Sequence, residues 1–164
     1  MKSLRDRLEW DSANGAIHDR EIPYLLIRPD SLMGIFGFLQ EAERAAAFEA
    51  FARSIAYYGK GSAESYQALG GAQADILMAT IAETAPQLGW GVWSLIRIDG
   101  GLSLTVRNSP FAAGFGESDT PVCAPIRGML EAVASLVLGV AVSVQEIGCV
   151  SCGADTCTFE AVPA

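Results

Sequence analysis

Four cysteines fall in the last third of the chain, at Cys123, Cys149, Cys152 and Cys157, and Glu146 stands three residues before the second of them. Thiolates and carboxylates are ligands for divalent metals, and closely spaced thiols also form disulfides or redox pairs. Which chemistry follows depends on where the side chains point.

A strand over 140–146 puts Val140, Val142 and Val144 on one face by its period of two, and Glu146 falls on the same face. On a last strand over 156–162, Cys157, Phe159 and Ala161 share a face opposite Thr158 and Glu160. On the preceding helix, Cys123, Ile126, Leu130, Val133 and Val137 recur at steps of three and four, one apolar stripe. Three elements thus aim Cys123, Glu146 and Cys157 at the buried side, and Cys149 sits in the turn joining two of them. A buried unpaired carboxylate is costly and normally takes a proton. A divalent cation removes that problem and holds the thiols as thiolates. Three thiolates and one carboxylate make a closed set suited to tetrahedral zinc, with Zn–S near ~2.3 Å and Zn–O roughly 2.0–2.2 Å. Such a set leaves no position for water, so the ion is expected to be structural, tying the helix start to the final hairpin.

Other readings compete. Free cysteines are often simply small buried hydrophobes. Cys149-Val150-Ser151-Cys152 has zinc-knuckle spacing, so by spacing alone Cys152 competes with Glu146 for the fourth position. A redox Cys-x-x-Cys is weaker, because the pair is not expected to open a helix after a strand, where a thiolate would be activated.

The elements that must position these residues are legible in outline. Residues 1–20 read as a polar arm or short helix, followed by a single domain over 21–164. Ile22 to Ile27 is a short extended run ahead of a helix capped by Asp30 or Ser31 and reaching Leu39. Glu41 to Tyr58 is Ala-rich and helical, with Gly59-Lys60-Gly61 expected to interrupt it. Ala72 to Ala85 is a second helix, stopped by Pro86 and Gly89. The period then changes to two: Val92–Ile98 and Leu102–Arg107 flank Asp99-Gly100-Gly101, a hairpin signal. Asn108 to Ser118 reads as loop. A helix capped by Ser118, Asp119 or Thr120 runs to Leu138 and ends at Gly139, before strands over 140–146 and 156–162. Helices first, then antiparallel strands, argue an α+β class.

Composition excludes some functions. With 51% apolar and 18% charged residues the chain is globular. Its net charge is −8, and its 11 Lys and Arg are scattered without a basic face. Direct nucleic-acid or anionic-membrane binding is therefore not expected. The first residues lack an apolar signal-peptide core, and Met129–Val144 is too short and too interrupted to span a bilayer. A cytoplasmic location is expected, where four cysteines favour ligands or free thiols over disulfides.

The stretches Asn108-Ser109-Pro110-Phe111, Phe115-Gly116-Glu117-Ser118-Asp119-Thr120-Pro121-Val122-Cys123, Glu146-Ile147-Gly148-Cys149 and Cys157-Thr158-Phe159 resemble the 4-vinyl-reductase domain family. That family includes proteins linked to bacteriochlorophyll synthesis, aromatic-sensing input domains of bacterial enhancer-binding activators, and small stand-alone proteins. The match covers residues 108–160; upstream, the helices and Gly89-Trp90-Gly91 fit in outline. In the sensor members zinc is held by a Cys after Pro-Val, a Glu before the next Cys, that Cys, and a final Cys. Carried over, these are Cys123, Glu146, Cys149 and Cys157, and the resemblance tips the fourth position to Glu146. It also implies a twisted antiparallel sheet flanked by helices, like that of vesicle-tethering transport-particle subunits. Such domains are often dimeric, with an apolar pocket between helices and sheet. One departure stands out: phenol-sensing members present a His and a Trp to the ligand, whereas the sole histidine here, His18, lies in the N-terminal arm, and neither Trp90 nor Trp93 can be matched.

Three functions are open at this point. The first is a zinc-stiffened domain that binds a small apolar or aromatic molecule as sensor or carrier, reporting through a homodimer or a partner protein. Phe48, Phe51, Ile55, Tyr58, Trp90 and Trp93 are its candidate wall residues, and a simple core role is the competing explanation for each. The second is an accessory or reductase role in tetrapyrrole metabolism. Against it, Gly34, Gly37, Gly59, Gly61, Gly70 and Gly71 make no strand–GxGxxG–helix unit, and one remote histidine allows no Ser/His/Asp arrangement. Enzymatic activity is thus the less favoured reading. The third is a structural or assembly module that dimerises through helices.

Overall fold

The computed structural model describes the backbone over residues 3–68 and 74–164, and side chains over the same stretches except 62–68. Met1, Lys2, Gly70, Gly71 and the expected helix start at Ala72 lie outside the described residues.

The order is α1 (Leu4–Arg7), β1 (Glu9–Asp11), β2 (Ala16–Asp19), β3 (Ile22–Tyr24), α2 (Pro29–Gly37), α3 (Glu41–Ala68), α4 (Ala74–Gln87), β4 (Val92–Ile98), β5 (Gly101–Arg107), α5 (Pro110–Phe115), α6 (Ala124–Leu138), β6 (Val142–Gly148), a 3-10 turn (Val150–Cys152) and β7 (Cys157–Pro163). The main sheet is antiparallel throughout, in the order β4-β5-β7-β6, and β1-β2-β3 form a separate small meander. Helices flank the main sheet, so the class is the α+β one expected. Among the described residues no helix is long and apolar enough to cross a membrane.

The core forms where the apolar faces meet. Leu102, Leu104 and Val106 on β5, Phe159 and Ala161 on β7, and Ile126, Leu130 and Val133 on α6 are all fully buried. The hairpin β4–β5 turns through Asp99-Gly100, with Ile98 opposite Gly101 and Gly100 at φ 75°. A two-residue loop of this kind needs positive φ, which glycine adopts without steric cost.

Helix α3 runs unbroken through Gly59 and Gly61, against the expected interruption. Each glycine costs about 1 kcal/mol of helix propensity, which packing of a long face outweighs. Here α3 lies against α6 at very short range: a Cβ at Gly128 would overlap the Ala52 carbonyl, and one at Gly59 would come 3.0 Å from the Met129 side chain.

Other boundaries differ for local reasons. The first residues are not a loose arm: after α1, β1 and β2 pair, β2 pairs with β3 across the boundary drawn at residue 20, and Arg7 forms a largely buried ion pair with Asp19 at 2.8 Å. Helix α2 starts at Pro29, whose fixed φ suits the first turn, and not from a cap at Asp30 or Ser31. The expected loop after Asn108 contains α5, capped by Ser109. Helix α6 starts at Ala124 with Cys123 as its N-cap, so Ser118, Asp119 and Thr120 are not its caps. It ends, as expected, at Gly139 in the left-handed region.

Candidate metal centre

The period-two alternation read from the sequence holds through β6 and β7. Glu146 lies on the inward face of β6, following Val142 and Val144, and Cys157 opens the buried face of β7. An irregularity between Glu146 and Gly148 bends the chain into the turn that carries Cys149. Helix α6 brings Cys123 to the same point from its N-terminus. The ligand atoms of Cys123, Glu146, Cys149 and Cys157 all lie within 4.8 Å of one another. The three cysteines are 0–2% exposed. Cys152 is exposed and stands outside this group.

Each of the four has a hydrogen-bond partner that a ligand of an ion could keep. The backbone N–H of Cys123 donates to Glu146 Oε2 at 3.0 Å. Ser109 Oγ lies 3.2 Å from Cys123 Sγ, and the Val150 N–H donates to Cys157 Sγ at 3.4 Å. The Val122 N–H reaches Cys149. Ser109, Val122 and Val150 were not visible as site residues from the sequence. Backbone donors leave no trace in residue type, and a serine before a proline signals a cap first.

Packed together without an ion, these groups disturb one another. Burial, then contact with Cys149, pushes the Glu146 carboxyl up to about 8. Hydrogen bonding to Cys149 and Cys157, followed by burial, pushes the Cys123 thiol up. Hydrogen bonds from Cys123 and Cys157 push Cys149 down. Cys157 is pulled down by Cys123, but Cys149 and burial outweigh that and leave it up at about 11. Cys152 is pushed up by partial burial and then by the facing Cys149. One thiolate serves as acceptor for its neighbours, and the carboxyl is driven toward its neutral form.

One atom tests whether a cation fits. Glu146 Oε1 is buried and has no hydrogen-bond partner. A buried acceptor left unpaired costs roughly 1–3 kcal/mol, and more when charged. An ion among the three sulfurs would satisfy it, and the α6 N-terminus adds favourable dipole potential for the surplus negative charge of the set. The donor set, its burial and its geometry suit a metal ion.

The expected pocket residues do not line one cavity. Phe48 is buried and stacks on Phe36 at 4.3 Å, and Phe51 stacks on the same ring at 5.7 Å. Ile55 is half-buried, and Tyr58 is 74% exposed against Tyr57. Trp90 meets Phe111 edge to face, and Trp93 is buried with its indole N–H donating to the Trp90 carbonyl at 2.9 Å. Two concavities are open. One of about 580 Å³ lies between α3, α6 and the approach to β6, walled by Arg53, Tyr57, Lys60, Glu131, Leu136 and Val142 among others. One of about 220 Å³ lies beside the metal cluster, lined by Phe48, Pro121, Ala124, Arg127, Val144, Gln145 and Glu146. Of the six candidate wall residues, Phe48 alone lines either. His18 sits on β2, 3.7 Å from Glu9, and lines neither.

Fold and cluster together define a domain of the 4-vinyl-reductase type: residues 102–163, from β5 through β7, match that family, and this segment of the chain belongs to it. The resemblance drawn from the sequence motifs thus names the right family. Among solved structures, the phenol-responsive sensory domain of the transcription activator PoxR, determined with phenol, is similar at a TM-score of 0.82 and 18% identity, covering 98% of this chain and 86% of that one. A trafficking protein particle complex subunit 3 from Naegleria fowleri, covalently bound to palmitic acid, matches at 0.56 and 15% identity, covering 82% of this chain and 93% of its own. A vinyl-4-reductase family protein from Methanocaldococcus jannaschii matches at 0.52 and 14%, covering 83% and 90%. At these identities the likeness is one of fold. No curated protein matches the chain.

Proposed function

We propose that this chain is a small-molecule-binding domain of the 4-vinyl-reductase family, stiffened by a structural zinc ion. Cys123, Glu146, Cys149 and Cys157 would hold the ion, and the ligand would be a small apolar or aromatic compound, bound as sensor or carrier. The observation that carries the metal half is the convergence of four ligand atoms within 4.8 Å, from residues largely shut off from solvent, with a buried carboxylate oxygen that has no other partner. Three thiolates and a carboxylate fill a tetrahedron, so the set supplies cross-linking and leaves no open position for catalysis. The ion would join the start of α6 to both strands of the last hairpin.

The ligand half is supported by the fold shared over nearly the whole chain with a domain that responds to phenol. The groove of about 580 Å³ is within the usual size of ligand sites. A sensor of this kind would report through a second copy or another protein, in the cytoplasm.

Native mass spectrometry of the full chain tests both halves. One zinc per chain, and saturable binding when phenol and larger alkyl or aryl compounds are titrated, is the expected result. Folded protein that carries no metal ends the first half; failure of every compound to saturate ends the second.

A further inference from the structure

The fourth cysteine has a place in the fold that the metal reading does not use. Cys152 is the exposed member of the group, while Cys123, Cys149 and Cys157 are 0–2% exposed. It closes the 3-10 turn that Cys149 opens: the Cys152 N–H donates to the Cys149 carbonyl at 3.0 Å. A turn closed this way holds its first and fourth Cα within about 7 Å, which overlaps the roughly 4.4–6.8 Å a disulfide spans. The Cys149 sulfur already faces the Cys152 thiol. The pair does follow a strand and flank a turn of helix, contrary to the sequence expectation that set the redox reading aside. Gly153, in the left-handed region at φ 88°, ends the turn, so the chain leaves it with no further helix to resist a change of shape.

We propose that Cys152 is an oxidant-reactive modification site through which a peroxide ejects the ion from the metal centre. The Cys152 sulfur attacks the O–O bond, forming an S–O bond and releasing one oxygen as hydroxide. The Cys149 thiolate then attacks the Cys152 sulfur: an S–S bond forms, the S–O bond breaks, and the second oxygen leaves as hydroxide. One proton, from the Cys152 thiol, converts one of the two hydroxides to water. Two sulfurs are each oxidised by one electron, and the peroxide takes both. The Cys149–metal bond is lost in the second step. The ion is then left with Cys123, Glu146 and Cys157, and its exchange with solvent accelerates. Cys152 is the route because the other three sulfurs are closed to solvent.

This inference rests on the metal reading, and its test separates the two. The full zinc-loaded chain is treated with hydrogen peroxide, released zinc is followed with a chromogenic chelator, and disulfides are mapped by mass spectrometry without reduction. The expected result is a Cys149–Cys152 disulfide forming in step with zinc release, release at least tenfold slower in Cys152→Ser, and reversal by thiol reductant plus zinc. Equal release rates in wild type and Cys152→Ser, a disulfide mapped to another pair, or oxidised Cys152 with zinc retained each overturn it. Protein that holds no ion before treatment overturns the metal reading and this inference with it. An ion present at the start and unmoved by peroxide overturns this inference alone.

Discussion

Glu146 and Cys123 are tied twice over: the Cys123 backbone N–H donates to Glu146 Oε2 at 3.0 Å, and both side chains belong to one cluster of ligand atoms. The bond pins the start of α6 to the end of β6, and it leaves the other carboxylate oxygen buried without a partner. A carboxylate used this way is both a cap for a helix and a ligand awaiting a cation.

Replacing this carboxylate separates the two roles. Glu146→Gln keeps the size and an acceptor for the Cys123 N–H but removes the charge, so zinc affinity should fall by roughly tenfold or more with the helix start retained. Glu146→Ala should lose both. Competition against a calibrated chelator gives the affinities, and equal affinity in wild type and Glu146→Ala would show that a different group completes the set.

Cys123→Ser and Cys157→Ser should lose the ion and destabilise the fold by roughly 4 kcal/mol or more, the range in which loss of a metal belongs. Cys152→Ser should do neither in reducing buffer. Metal analysis and denaturant unfolding of the three variants check this; zinc lost from Cys152→Ser would mean the exposed cysteine, and not Glu146, fills the fourth position.

Metal uptake should release protons. In the ion-free protein the Glu146 carboxyl is held up to about 8, above its ordinary 4.5. A raised carboxyl favours the fold in its protonated form: that contribution is complete below pH ~4.5 and gone above pH ~8. The ion demands the ionised carboxylate and thiolates, including the Cys157 thiol held up at about 11. Near neutral pH, binding should therefore expel more than one proton per ion, and zinc affinity should rise with pH as the ion-free fold weakens. Calorimetry in buffers of different ionisation enthalpy reads the number directly, and heats that do not depend on the buffer contradict it.

Ser109→Ala removes the hydroxyl that faces Cys123 Sγ at 3.2 Å and caps α5 through the Ala112 N–H. About 1 kcal/mol of stability should go with the cap, and zinc affinity should drop about 10- to 100-fold with the supporting contact. A stability loss with unchanged affinity would assign the residue to the helix alone.

Two glycines of the helical layer should respond in opposite directions. Gly128→Ala forces a methyl onto the Ala52 carbonyl and should cost about 1–3 kcal/mol without affecting metal content. Gly61→Ala meets open space on the continuous α3 and should stabilise by roughly 0.4–1 kcal/mol. Thermal unfolding distinguishes them; a gain in Gly128→Ala would mean the two helices can part at no cost.

The four clustered ligands were legible because strand alternation is local: with Val142 and Phe159 buried, Glu146 and Cys157 have to face inward as well. The hairpin at Asp99-Gly100 and the helix end at Gly139 were legible for the same reason, since each depends on a few adjacent residues. The break expected at Gly59-Lys60-Gly61 and the caps expected at Ser118 to Thr120 failed because partners remote in sequence decide them. Packing of α3 on α6 carries the helix across its glycines, and contact with Glu146 fixes where α6 begins.

By itself the sequence determined the α+β class, the face each strand cysteine or carboxylate presents and the motif that marks the 4-vinyl-reductase family, because periodicity and turn chemistry act over a few residues. Only the tertiary structure decided that Cys123, Glu146, Cys149 and Cys157 meet while Cys152 stays at the surface. It alone supplied the donors Ser109, Val122 and Val150, and it dispersed the six apolar residues that spacing had gathered into one pocket. Distances between elements come from packing across the whole chain, and no local pattern encodes them.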